Sequence, residues 1–399
     1  MLKSDIAIVS GARTPMGRYC GKLRDVTATE LAAVAAKEAI RRAGLDPPEF
    51  DHCVIGNAQQ TSGDALYGAR HVALRAGLPI ETPALTVNRL CGSGMQAIVT
   101  AAQMIMLGEA RTVLAGGMES MSQAPHVIHG MRWGVGLGEG KLEDSLMVAL
   151  LDSYCGLYMA NTAELYAEQQ GITRQMQDEY ALRSQRLAAE AQKSCRLQEE
   201  ITPVPLKNHK GEATSEMFEK DDHLRPETTM EALAKLKPAF GKNGTVTAGN
   251  ASGIVDGGAA VVVMSVDGAQ KRGLKPLGRI VSWGIAGVDP KIMGRGPVPA
   301  SRIALQKAGL KLDDIDLIEV NEAFAAQYLA VEKELGLNRD KVNVNGGAIA
   351  LGHPLGATGT RLVITLLYEL RRRKKKYGLA TACIGGGQGI AVIVESLQA

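Results

Sequence analysis

Cys91 lies in Asn88-Arg89-Leu90-Cys91-Gly92-Ser93-Gly94-Met95-Gln96-Ala97, directly ahead of a run, 95–107, that reads as a buried helix. A thiol at a helix N-terminus faces unpaired N–H groups and the positive end of the dipole. That setting favours thiolate and is expected to lower the pKa below its ordinary value of ~8.5. Gly92 and Gly94 are expected to let backbone and substrate approach where a Cβ would clash. Two readings stand side by side: an activated nucleophile, or one more small buried hydrophobe.

Three further motifs carry chemistry-bearing residue types. They are Asn321-Glu322-Ala323-Phe324-Ala325, Gly352-His353-Pro354-Leu355-Gly356-Ala357-Thr358-Gly359 and Cys383-Ile384-Gly385-Gly386-Gly387-Gln388-Gly389. Each follows a strand-like run or opens a helix-like one, so all four can converge on one face of an α/β structure. An imidazole in a Gly-Pro turn is rigidly held, which suits a base; a loop His is otherwise a surface residue. Cys383 reads as an acid/base thiol or as a strand-end core thiol. His126-x-x-His129 has no third ligand at metal spacing, so no metal is expected. The Gly-rich stretch 134–140 lacks the spacing and the preceding strand of a dinucleotide site.

The elements that would position these motifs alternate. Strand-like runs at 5–10, 52–55, 83–87 and 112–115 are separated by helical ones. The first helix, to residue 43, opens with a Thr27-x-x-Glu30 capping box. The second half echoes the first at an offset of 265. Ala43-Gly44-Leu45 corresponds to Ala308-Gly309-Leu310, 50–55 to 315–320, and Ser93-Gly94 to Thr358-Gly359. A few inserted residues later, 113–117 is matched to 383–387. A duplicated α/β unit is expected. Residues 120–250 break the pattern with Gly-rich loops, a polar helix (174–191) and a charged loop (207–225), and read as an insertion. The stretch 245–265 then returns to the first sheet. The expected division is 1–120 plus 249–272, an inserted loop domain 121–248, and 273–399.

Composition excludes several classes. Of 399 residues, 45 are Lys or Arg and 42 Asp or Glu, a balance that leaves no electrostatic footprint for nucleic acid. Aromatics at 4% leave no base-stacking platform. Six cysteines without a CxxC pair suggest neither a disulfide framework nor a zinc site, and fit a reducing compartment. No signal or transit segment is read, Ser396-Leu397-Gln398-Ala399 is not a peroxisomal address, and no run is read as a membrane span. A cytoplasmic protein is expected. The run 371–376 reads as a solvated helix end.

Together the motifs resemble the thiolases, and most closely the biosynthetic acetyl-CoA acetyltransferases. The resemblance covers essentially the whole chain. It includes Gly249-Asn250-Ala251-Ser252-Gly253, Asp289-Pro290-Lys291-Ile292-Met293-Gly294 and Asn343-Val344-Asn345-Gly346-Gly347-Ala348. It implies the thiolase fold, a duplicated five-layered αβαβα core. It implies Cys91 as nucleophile, His353 as its base and Cys383 as the group that moves the α-proton. One oxyanion hole would come from His353 with a water held by Asn321, another from the N–H groups of Cys91 and Gly385. CoA and substrate contacts implied are Arg225, Phe240, Ala248, Gly249 and Ser252, with Tyr158, Met159, Met293 and Phe324 around the acyl end.

The implied activity is reversible condensation of two acetyl-CoA to acetoacetyl-CoA and CoA, with no prosthetic group and a homotetramer of paired dimers. A 3-ketoacyl-CoA thiolase of longer chain preference is the nearest alternative. A non-catalytic acyl-CoA-binding relative is a more distant one. Two positions depart from the family pattern: Tyr158 stands where His is usual, which puts acetoacetyl preference in question, and Val255 replaces a common Asn.

Overall fold

The protein was examined as a computed structural model describing residues 5–208, 211–241 and 243–398. His209 and Lys210 of the charged loop, and Ala399, lie outside the described residues. In the first half β1 (Ile6–Arg13) leads to α1 (Ala28–Ala43), β2 (His52–Asn57), α2 (Gly68–Ala76), β3 (Ala84–Val87), α3 (Ser93–Leu107) and β4 (Thr112–Ser120). The insertion contains α4 (Met159–Gln169) and α5 (Arg174–Lys193), and β5 (Val255–Ser265) returns to the sheet. The second half comprises β6 (Gly278–Gly287), α6 (Pro297–Ala308), β7 (Leu317–Val320), α7 (Ala325–Leu335), α8 (Leu355–Arg373), β8 (Tyr377–Ile384) and β9 (Gln388–Ser396).

Strand order states the duplication directly. It runs β7-β8-β9-β6-β1-β5-β4-β2-β3, so β2-β4-β5-β1 of one half repeats as β7-β8-β9-β6 of the other. The halves join through three residue pairs between β1 and β6, Ala7 facing Arg279 at the centre. Apolar burial falls into three main clusters. One combines α3 and α8 with strands of both halves; a second lies under α1 and α2; a third lies under α4 to α7. Helices thus cover the outer face of each half-sheet and fill the space between them, giving five layers. Strand β5, buried at ten consecutive positions, reads as a continuous apolar run because both its faces are covered.

Local signals act as their chemistry demands. Thr27 and Glu30 form the reciprocal capping box that starts α1, and left-handed Gly44 ends it. At the crossing of α3 and α8 sit Gly94 and Gly359, equivalent at the offset of 265. A Cβ on Gly94 would lie 2.6 Å from Thr360 N, and one on Gly359 2.4 Å from Met95 N. The two backbones meet because neither residue has a side chain there. The insertion is tied down by Arg13, fully buried, which donates to Glu200 at 2.7 Å and to Asp221 at 2.7 and 2.9 Å.

Two expectations need correction. The match of 113–117 to 383–387 fails: His52 pairs with Val113 while Leu317 pairs with Gly378, so Val113 corresponds to Gly378 and the offset stays at 265. Glycine content resembled an alignment there, but hydrogen-bond register decides it. The segment Leu90–Leu107 is long and apolar enough to cross a membrane by length and composition. Here it is a core helix, apolar because both half-sheets pack on it.

Candidate active site

Cys91 sits in a 3-10 turn, Leu90–Gly92, so the helix begins at Ser93, two residues before the expected start. Leu90 has φ of 46°, a left-handed conformation held by its N–H donating to Asn88 Oδ1 at 2.8 Å. Arg89 fastens the turn to the other half, its Nη1 donating to Gln388 Oε1 at 2.9 Å. The glycines serve a different approach from the one expected. A Cβ on Gly92 would lie 2.6 Å from the Ile384 side chain, so Gly92, like Gly94, admits the second half of the protein rather than substrate.

His353, 5% exposed, is oriented at both ring nitrogens. The Thr358 hydroxyl donates to Pro354 O at 3.0 Å and lies 2.7 Å from Nδ1, so it accepts the Nδ1 proton. That leaves the Nε2 lone pair to take a proton. Asn321 Nδ2 lies 3.3 Å from Nε2, and Asn321 Oδ1 is buried with no protein partner. Asn321 itself is held where β7 ends, its N–H donating to Thr381 O.

The electrostatics overturn one expectation. The Cys91 thiol is pushed up to about 11 rather than down, because burial outweighs the N–H groups of Gly385 and Cys91 that favour thiolate. Burial, with a smaller contribution from Arg361, lowers His353 to about 3. Burial raises the Cys383 thiol too, and the proximity of Cys91 raises it further. Burial therefore favours the uncharged form of both the Cys91 thiol and the His353 imidazole, which line one cavity.

A cavity of about 540 Å³ exposes Cys91, His353, Cys383 and Gly385 together. Met159, Met293 and Phe324 line it beside Cys383, and Phe240, Ala248, Ser252 and Arg225 line it as well. An adjoining cavity of about 410 Å³ shares Arg225, His223 and Ala248, and Gly249 lines this second space instead. Asn321 is fully buried behind His353 and lines neither. Tyr158 also lines neither. Its ring tilts against Phe240 at 5.2 Å, one layer behind the wall in which it was expected.

Residues 6–267 match the profile of the thiolase N-terminal domain, and 274–396 that of the thiolase C-terminal domain. The chain belongs to the thiolase family. It is 53% identical to human mitochondrial 3-ketoacyl-CoA thiolase over 98% of both chains. It is 50% identical to an acetyl-CoA acetyltransferase of Cupriavidus necator, over 98% of this chain and 99% of that one. The crystal structure of the human mitochondrial enzyme in complex with CoA superposes with a TM-score of 0.96 at 52% identity, covering 99% of this chain and 98% of that one.

This thiolase has cavity residues that motif reading missed. Arg18, Tyr19, Asp222 and His223 line the main cavity from two loops without motif character. Met121, Leu150, Ile254 and Leu355 add apolar wall on the Cys91 side. Thr358 was legible, five residues after His353 within its own motif. Among the described residues no group of three His, Cys, Asp or Glu could hold a metal ion. His126 opens a short exposed strand, His126–Ile128, paired with Leu142–Asp144 where a loop was expected, and His129 follows it beside Glu143.

Proposed function

We propose that this thiolase interconverts acetoacetyl-CoA plus CoA with two acetyl-CoA through an acyl-Cys91 thioester. The observation that carries it is the single cavity presenting Cys91, His353, Cys383 and the Gly385 N–H together. In the cleavage direction the Cys91 sulfur attacks the 3-keto carbon while its proton passes to His353 Nε2. The C2–C3 bond breaks, and the enolate takes the Cys383 proton to leave as acetyl-CoA. Burial suits Cys383 to this step, since it holds the group as a thiol until the enolate forms. CoA then attacks acyl-Cys91; its thiol proton goes to the Cys383 thiolate, and His353 returns the first proton to Cys91. N–H donors of Cys91 and Gly385, with Asn321 and His353, supply the stabilisation of developing negative charge. Arg225, Ser252 and Ala248 would receive the CoA arm, the adjoining cavity its nucleotide end.

A second reading, thiolysis of longer 3-ketoacyl-CoA, is favoured by the withdrawal of Tyr158 behind Phe240 and by the apolar wall of Met121, Leu150 and Leu355. Met159 and Met293, which crowd the Cys383 side, favour the C4 substrate. Steady-state thiolysis across 3-ketoacyl-CoA from C4 to C10 decides between them. The C4 reading expects the highest kcat/KM with acetoacetyl-CoA, and Met159→Ala to shift preference toward longer chains. A maximum at C8 or above in the native enzyme replaces it with the second reading.

We further propose a homotetramer. The edge strand β3 keeps one side unpaired, and Leu66, Tyr67, Ile80 and Leu85 are exposed in the same half. The insertion exposes Met131, Trp133 and Leu137. Two apolar surfaces on separate parts of the chain suit a dimer of dimers.

A further inference from the structure

Helix α8 carries Thr358, the brace of His353, yet its N-cap is Pro354, which supplies no side-chain acceptor. The missing acceptor comes from the other half of the molecule. Glu119 near the end of β4, fully buried, accepts the Gly356 N–H at 2.8 Å and the Ala58 N–H at 3.0 Å through Oε2. Through Oε1 it accepts Gln59 N–H at 3.0 Å and Asn57 Nδ2 at 2.9 Å. One carboxylate therefore joins the loop after β2, whose Ala58 packs in the same apolar cluster as Cys91, to the helix that orients His353. Glycines make this approach close: a Cβ on Gly117 would lie 1.9 Å from Gly356 O, and one on Gly356 2.4 Å from Met118 O. The charged group that acts on His353 is Arg361, paired with Glu319 at 3.2 Å.

We infer that Glu119 is a positioning residue that sets the reach between Cys91 and His353 by clamping the N-terminus of α8 to the nucleophile half. The inference rests on the reading of Cys91 as the acylated nucleophile and His353 as its base. Glu119 touches no substrate: it is absent from the lining of both cavities. Its effect falls on the acylation step and not on thioester binding, because a base displaced by a fraction of an ångström transfers its proton less well while the CoA arm is held by other residues.

The rate of acetyl-Cys91 formation from acetyl-CoA, followed by intact mass, tests this. Glu119→Gln keeps shape but turns an acceptor into a donor facing N–H groups, and is expected to slow acylation by about 100-fold at unchanged KM. Asp51→Asn is the control. Asp51 accepts from the Arg111 and Thr112 N–H groups at the far end of β4, so this variant loses stability while keeping the acylation rate. Glu119→Gln acylating at the native rate, whatever its melting temperature, overturns the inference. So does a rise in KM that accounts for the whole loss. If Glu119→Gln does not fold, Asn57→Ala carries the test: it removes one donor, a several-fold slower acylation at unchanged KM supports the clamp, and the native rate refutes it. If the native enzyme forms no acetyl-Cys91, the proposed reaction fails instead; native acylation matched by Glu119→Gln fails the inference only.

Discussion

Cys91 and His353 are both uncharged at neutral pH, with the thiol near 11 and the imidazole near 3. In the proposed reaction these shifts favour proton transfer that accompanies attack on the thioester. Inactivation by iodoacetamide is expected to track modification of Cys91, slowly at neutral pH and with acetyl-CoA protecting, whatever the exposed Cys20 and Cys195 do; peptide mapping that finds Cys91 intact at full inactivation refutes the assignment. Cys91→Ala should form no acyl-enzyme, whereas Cys383→Ala should accept an acetyl group and stall at carbon–carbon bond formation. Equal loss of labelled acetyl transfer in both would end that division of roles. His223 adds a pH dependence. Burial first, then Arg225, lowers it from 6.5 to about 4, so its stabilisation is complete above pH 6.5 and is lost as pH falls toward 4. Burial raises Glu119 to about 7 and Glu319 to about 8, and these act in the opposite sense, losing stabilisation as pH rises. Comparing urea unfolding of the native protein and His223→Gln isolates the histidine. The native protein should lose about 2 kcal/mol more than the variant between pH 7 and 4.5.

Among the elements, the insertion depends on one buried cation for its docking. Arg13, the last residue of β1, satisfies Glu200 and Asp221 together, and Asp221 also accepts the Met16 N–H at 2.7 Å. Removing the guanidinium leaves two buried carboxylates unpaired. Arg13→Met should cost about 3–5 kcal/mol in urea unfolding. Because Asp222 and His223 follow Asp221 into the cavity wall, the variant should also bind CoA more weakly by calorimetry. Unchanged stability would mean that the insertion is held chiefly by its apolar contacts with α6 and α7. The helices α3 and α8 obey a different constraint, backbone contact at Gly94 and Gly359, which fixes where the two halves cross and so where their N-termini point.

For the whole molecule, exposed apolar residues gather in two places, the first-half edge and the insertion, apart from scattered ones such as Leu107 and Leu397. Trp133 is 83% exposed and Leu137 fully so, while Leu85 on the edge strand is 40% exposed. If the proposed assembly is right, light scattering at micromolar protein should give four chains per particle. Trp133→Asp in the insertion should reduce it to two, and the dimer should keep its cavity residues in place and its acylation rate. A monomer in the native protein would refute the assembly at both levels.

The duplication was legible in the chain, because short apolar strands and the αL glycines Gly44 and Gly309 recur at an offset of 265, and each is a local choice. Thr27 with Glu30, Gly44 and Gly309 mark helix boundaries without reference to anything distant. The four motifs that meet in the cavity were legible for the same reason: Cys91, Asn321, His353 and Cys383 stand at element ends, where spacing and turn chemistry reveal them. What depended on other parts of the chain was not legible. The thiol pKa moved up rather than down because burial, which only the folded chain imposes, outweighs the N–H groups of Gly385 and Cys91 that favour thiolate. Tyr158 left the cavity wall because Phe240, eighty-two positions later, stands in front of it. Glu119 reads as one acidic residue among forty-two until folding sets its carboxylate against the Gly356 N–H, 237 positions away. Local propensity determined the elements and the residues at their ends. Close packing of two halves decided which groups are buried, which way their proton affinities move and which carboxylate meets the N-terminus of α8.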